Sequence, residues 1–284
     1  MPGPLPVVLV HGFWHGGWCW TPVVERLAAR GVRSVAVDLD GHGLRGAVPR
    51  SHAARPFDAG AFATEPSPVA GVTASSAAAV LVDQLRAIGA GRPCLLVAHS
   101  MGGVVATAVT ERAPELVGGL VYVCAFAPTG GASVASYTTS LENAGEKVSP
   151  LVVADPAVVG AVRIDTRAPA RIEELREAFY HDVDEPTARA AIALLSPDGP
   201  VGIPSERITV TARRYGAVPR AYVVCLRDNV VPVALQRRFV REIDAVSTTP
   251  TTVTELDSSH SPFLSRPAAL AETITAAAHA YAPR

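Results

Sequence analysis

Six short runs of the chain, 6–10, 34–37, 94–98, 119–124, 221–226 and 251–256, are apolar at most positions and end in Gly, Pro or a polar cluster. Runs of this kind, without alternation of apolar and polar residues, fit central parallel strands covered on both faces. Between them, helical spacing of apolar residues extends over 22–30, 74–88, 101–112, 233–243 and 267–281. Thr21 is placed to cap the first of these helices, with Gly31 just past its end, and Gly89 to stop the second. Strand alternating with helix predicts an α/β architecture: a doubly wound, mostly parallel six-stranded sheet flanked by helices. The interval 129–205 breaks the rhythm, since it holds almost no strand-like run but does hold amphipathic stretches at 169–180 and 186–195. It predicts a helical cap inserted between core strands, leaving 1–128 and 206–284 as the core. Residues 45–72, rich in Ala, Pro and Gly, predict a long irregular loop.

Composition narrows the function classes. In 284 residues, 25 basic side chains face 26 acidic ones, a formal charge of -1, so no electrostatic footprint for nucleic acid or an anionic membrane is present. With 49% apolar and 18% charged residues the chain excludes a disordered or coiled-coil class. No apolar stretch approaches the roughly 18 residues of a spanning helix. The start of the chain has no basic region, and 7–10 is too short for a signal core. The expectation is a soluble cytoplasmic protein. The four cysteines, Cys19, Cys94, Cys124 and Cys225, lack CxxC or metal-ligand spacing. Three of them sit in apolar runs, where a thiol acts as a small buried hydrophobe.

The chemistry concentrates at Ala98-His99-Ser100-Met101-Gly102, where a buried strand runs into a serine and straight out into a helix. Small residues two before and two after Ser100 meet the steric demand of a nucleophile elbow, although Ser also caps helices. A second signal follows the first strand: His11-Gly12-Phe13-Trp14-His15-Gly16-Gly17-Trp18. A loop in that position supplies one backbone N–H of an oxyanion hole, and the residue after the nucleophile supplies the other, which selects the amides of Phe13 and Met101. His11 and His15 have no carboxylate beside them and are expected to be structural, not metal ligands. The order Ser, acid, His then points to His260, after the last strand, and to Asp228 at the end of the 221–226 strand. Asp257 is the rival acid, but it lies on the histidine's own loop, three residues before it. His42 is expected in a turn, His279 on an exposed helix face, and His99 pointing away from Ser100.

These motifs, together with Tyr122-Val-Cys-Ala-Phe-Ala-Pro128 and Gln236-Arg237, resemble the α/β-hydrolase superfamily over nearly the whole chain. The nearest likeness is to the branch of plant methyl esterases and hydroxynitrile lyases, with bacterial polyketide methyl-esterases beside it. The resemblance implies a cap over an apolar pocket, a small-molecule substrate and catalysis without cofactor or metal. Pocket walls are expected from Gly12, Phe13, Trp14, Phe126, Tyr137, Phe179 and Ser261. The lyases carry Thr in the slot of Gly12 and Lys in the slot of Ser261, so the resemblance favours ester hydrolysis. A non-hydrolytic natural-product tailoring enzyme using the same triad, and a ligand receptor on this fold, are the alternatives.

Overall fold

The computed structural model describes residues 3–283. In chain order its strands are β1 (Val7–Val10), β2 (Ser34–Val37), β3 (Cys94–His99), β4 (Val117–Val123), β5 (Ala161–Arg163), β6 (Asp198–Pro200), β7 (Arg220–Cys225) and β8 (Thr252–Leu256). Six of them form one parallel sheet in the order β2-β1-β3-β4-β7-β8. The chain therefore starts next to the middle, winds outward to one edge, returns to β3 and proceeds to the other edge.

Inside the uninterrupted apolar runs the two-residue period still sorts side chains between two cores. Val8, Val10, Leu96, Ala98 and Tyr122 join the helices Ala74–Gly89, Gly102–Arg112 and Val233–Val246. Val7, Leu9, Leu95, Val97 and Val121 join the helices Thr21–Ala29 and Pro267–Ala280. Strands β1, β3 and β7 are buried at every position. The two edge strands depart from the expectation of burial on both faces. In β8, Thr252, Val253 and Glu255 are exposed, and Glu255 pairs with Arg237 at 2.8 Å. A charge on an exposed edge discourages pairing with another chain.

Helix ends also shift. Thr21 opens its helix and Trp20 occupies the cap, because a tight turn over Gly17–Trp20 runs directly into it; the Thr21 hydroxyl donates to the Trp18 carbonyl at 2.8 Å. Gly89 is the last residue of its helix, and Ala90 makes the left-handed turn with φ 49°.

Between β4 and β7 the chain leaves the sheet. This excursion contains helices at Pro169–Phe179 and Glu185–Ala193, and also a feature the periodicity did not predict: the antiparallel pair β5–β6, with Val162 opposite Gly199 and Arg163 opposite Asp198. Strands of three residues are too short to show a period, and Asp-Gly-Pro reads as a turn. The 45–72 segment is likewise more ordered than expected, with short helices Arg50–Ala53 and Ala59–Thr64. Asp58 caps the second by accepting from Gly60 and Ala61 N–H.

Arg163 ties the two segments together. Fully buried, it donates through Nε and Nη2 to both oxygens of Asp198 at 2.6 and 2.8 Å, and through Nη1 to the carbonyls of Phe62 and Glu65. Removing one member of such a pair leaves a buried charge uncompensated. Asp198→Ala is therefore expected to destabilise the protein by about 3–5 kcal/mol, read from urea unfolding midpoints. A loss below about 1 kcal/mol would mean that water reaches the guanidinium and the pair behaves as a surface one.

No helix among the described residues is long and apolar enough to cross a membrane.

Candidate active site

Strand β3 delivers Ser100 to the carboxyl edge of the sheet with φ 51°, a left-handed conformation uncommon outside glycine. The turn is fixed from both sides. Ser100 N–H donates to the Val123 carbonyl at 3.2 Å, while its own carbonyl accepts from Gly103 N–H at 3.0 Å and Phe126 N–H at 3.1 Å. A Cβ at Gly102 would strike the His11 carbonyl, and one at Gly103 the Phe126 carbonyl. These collisions are the reason the elbow takes small residues after its serine. Ser100 Oγ makes no hydrogen bond to another described residue, and Ser100 lines a cavity. Contacts of a nucleophile to its base are often long without substrate and tighten in the complex.

His260 Nδ1 lies 2.8 Å from Asp228 Oδ2, and both side chains are buried. The second oxygen of Asp228 accepts from Val230 and Val231 N–H at 2.7 and 2.9 Å, so the carboxylate is fully engaged as an acceptor. Gln236 braces the same turn: its amide donates to the Cys225 and Val231 carbonyls and accepts from Cys225 N–H. With Nδ1–H given to Asp228, His260 Nε2 carries the lone pair. Asp257, the rival acid, turns to solvent and pairs with Arg227 at 2.7 Å. The His260 loop is anchored by His99, whose Nε2–H donates to the His260 carbonyl at 2.8 Å, and by Asp182, which accepts from Ser259 N–H at 2.9 Å. His99 makes no hydrogen bond to the Ser100 hydroxyl among the described residues and supports the loop of His260.

The amides of Phe13 and Met101 donate to no acceptor among the described residues. Met101 occupies the cap position of the Gly102–Arg112 helix, where free N–H groups favour negative charge. Gly12 packs on the serine: a Cβ there would stand 2.6 Å from Ser100 Cβ. A threonine in that slot, as in the lyases, does not fit this geometry.

Four histidines around the loop are buried and held neutral. Burial pushes His15 down to about 3 and His42 to about 4, and holds His11 and His99 well below the usual imidazole range. His11 Nε2 accepts from Leu39 N–H at 3.1 Å, which leaves Nδ1–H to donate to the Gly12 carbonyl at 2.7 Å. His15 bridges the Phe13 carbonyl at 2.8 Å and the Tyr180 hydroxyl at 2.7 Å. Their ring nitrogens are engaged in bracing the loop. His42 is more than a turn residue, since its ring stacks on Phe13 with centroids 5.5 Å apart. Among the described residues His99, Cys124 and His260 lie close enough together to suggest a metal site. His99 Nε2 and His260 Nδ1 already serve the His260 carbonyl and Asp228, and burial pushes the Cys124 thiol well up, away from the thiolate a metal needs.

The cavity has a volume of about 370 Å³, in the range of small-molecule sites. Ser100, Met101, Phe13, Trp14 and Phe126 form its floor, and Val134, Val148, Val152, Val162 and Val201 supply much of its roof. Of the other expected wall residues, four do not line it. Tyr137 turns toward the core, stacking on Phe239 and donating to Glu242 Oε2 at 2.6 Å. Phe179 sits behind the floor, between the rings of Trp14 and His260. Ser261 is fully buried under the histidine loop, and Gly12 has no side chain to offer. The valines were missed because nothing in sequence separates a wall valine from a core valine. Asp182 and Gln236 were also not assigned these supporting roles; their partners lie on other segments of the chain.

A model described as the alpha/beta hydrolase family matches residues 7–273. A pyrethroid hydrolase of Sphingobium wenxiniae is 30% identical over 277 residues, covering 94% of this chain and 85% of that protein. Methyl jasmonate esterase 1 of Vitis vinifera is 26% identical over 240 residues, covering 82% and 83%. The solved structure of a pyrethroid hydrolase, PytH, is similar with a TM-score of 0.75 at 27% identity over 99% of both chains.

Proposed function

This chain belongs to the alpha/beta hydrolase family, and from that premise we propose that it hydrolyses neutral, apolar carboxylic esters through an acyl-enzyme on Ser100. It is an esterase-like hydrolase, in keeping with relatives named for pyrethroid and methyl jasmonate hydrolysis. The observation that carries the assignment of roles is the 2.8 Å contact of His260 Nδ1 with Asp228 Oδ2 behind the elbow of Ser100.

In the proposed sequence His260 Nε2 takes the Ser100 proton as Oγ attacks the ester carbonyl. Asp228 holds the ring in that tautomer and stabilises the imidazolium. The Phe13 and Met101 amides receive the charge on the carbonyl oxygen; each such donor is worth on the order of 10²-fold in rate. His260 then returns the proton to the leaving alcohol, and water, deprotonated in turn by His260, releases the acid. The segment 129–205 acts as the cap and supplies the apolar roof.

The substrate class follows from the walls. The cavity lining contains no Lys, Arg or His, and its one charged residue, Glu146, accepts from Val148 and Ser149 N–H. A carboxylate-bearing substrate has no cation to meet there, nor does a leaving cyanide, which also disfavours the lyase reading. The four buried free cysteines suit a reducing compartment, and we place the protein in the cytoplasm on that ground.

The test is covalent. A fluorophosphonate probe is expected to label the peptide that contains Ser100, and a pulse of p-nitrophenyl butyrate followed by acid quench is expected to leave a butyryl mass on the same peptide. Ester turnover with neither adduct on Ser100 would sink the assignment.

A further inference from the structure

Trp14, next to the proposed oxyanion donor, has a left-handed backbone with φ 63°. Bulky residues occupy that region only when their surroundings hold them there. Both of its polar ends are bound by the cap. The indole N–H donates to the Val162 carbonyl at 2.9 Å. The Trp14 carbonyl accepts from Ser196 N–H at 2.8 Å and from the Ser196 hydroxyl at 3.2 Å.

Phe13 is held by the same β5–β6 pair. One face of its ring stacks on His42. Gly199 also abuts the ring, so closely that a Cβ there would lie 2.5 to 2.9 Å from Phe13 Cδ2, Cγ and Cε2. Val162 and Gly199 are directly opposite each other in the β5–β6 register. One cross-strand pair therefore grips Trp14 with one member and abuts Phe13 with the other.

We propose that Trp14 is a positioning residue through which the antiparallel β5–β6 pair of the cap sets the direction of the Phe13 amide, so that the oxyanion hole is complete only with that pair seated. The proposal rests on the reading of that amide as an oxyanion donor. Such a donor acts within a narrow distance of the developing charge, and a displacement of about 1 Å removes most of its effect. The cap thereby couples closure over substrate to the group that stabilises the transition state, which links binding to kcat and not only to KM.

Two variants test it. Trp14→Phe keeps an aromatic wall and the backbone constraint but loses the N–H donor, and Gly199→Ala crowds the Phe13 ring from the cap side. Steady-state kinetics on p-nitrophenyl butyrate are measured with inhibition by an alkyl trifluoromethyl ketone and by the matching secondary alcohol. The ketone forms a tetrahedral oxyanion on serine, and the alcohol does not. In both variants kcat is expected to fall about tenfold or more with KM within about twofold. Ketone affinity should fall in step with kcat, and alcohol affinity should hold. A folded Trp14→Phe enzyme with wild-type kcat would overturn the proposal, as would a rise in KM alone, which marks Trp14 as a plain wall. Should Gly199→Ala not fold, Trp14→Phe decides by itself. Wild-type protein that turns over no ester at all would remove the hydrolase reading, and the proposal with it.

Discussion

Replacing Ser100 by Ala is expected to lower kcat/KM on p-nitrophenyl butyrate by at least about 10⁴-fold, close to 5.5 kcal/mol of transition-state stabilisation. The size follows from cooperation within the site: without Oγ, the His260–Asp228 pair has no proton to take, and only binding and the two amides remain. Stability should hardly change. Alanine meets the same steric objection to φ 51° as serine, and Ser100 Oγ has no hydrogen-bond partner among the described residues to lose. Ser100→Gly sharpens the test, because it is equally inactive yet relieves the left-handed strain, and should gain up to about 1 kcal/mol. Calorimetry alongside the assay separates the two outcomes. Residual turnover within tenfold of wild type in either variant would place the nucleophile elsewhere.

Below neutral pH the protein is expected to lose stability steeply, and the buried histidines give the sign. An unfolded imidazole takes a proton near pH 6.5, whereas His15 in the folded chain does so only at about 3 and His42 at about 4. Between pH 6.5 and those values the unfolded chain binds more protons, so stability is full above 6.5 and falls as the pH is lowered. Each neutral histidine contributes a slope of at most about 1.4 kcal/mol per pH unit, and four together roughly 5. Against a net stability of about 5–15 kcal/mol, acid unfolding should be under way by about pH 5. Urea midpoints at pH 8, 6.5, 5.5 and 5 would read it. His42 is the informative replacement, because its Nε2 has no partner among the described residues and a phenyl ring can replace imidazole in its stack on Phe13. His42→Phe should flatten the slope by about a quarter. Stability that stays level from pH 8 to 5 would mean that these rings ionise in the folded state.

The parallel strands were legible because their signal is local: a buried strand needs apolar residues at consecutive positions. The elbow was legible because a strand, a serine and a helix with small residues around the serine form a contiguous pattern, although the carbonyls that exclude bulk at Gly102 and Gly103 belong to His11 and Phe126 on other segments. Asp228 was reachable through chain order; it meets His260 Nδ1, whereas Asp257 pairs with Arg227. The β5–β6 pair was not legible. Its three-residue strands carry no period, 34 residues and two helices separate them, and the Arg163–Asp198 bond that joins them has further partners about a hundred residues away.

Aromatic residues show the same division. Trp14 and Phe126 line the cavity, while Tyr137 and Phe179, equally aromatic and within the segment 129–205, do not. Composition cannot separate them, because the direction of a side chain depends on what packs behind it: Glu242 and Phe239 draw Tyr137 inward, and Trp14 and His260 enclose Phe179. By itself the sequence determined the layered sheet, the elbow serine and the candidate acid and base that follow it. All of these are written in periodicity, turn sterics and order along the chain. Only the tertiary structure decided the cavity wall, the bracing histidines and the grip of the cap on Trp14, a contact that spans 148 positions. Interactions of that reach depend on how separate segments pack, and no window along the chain contains both partners.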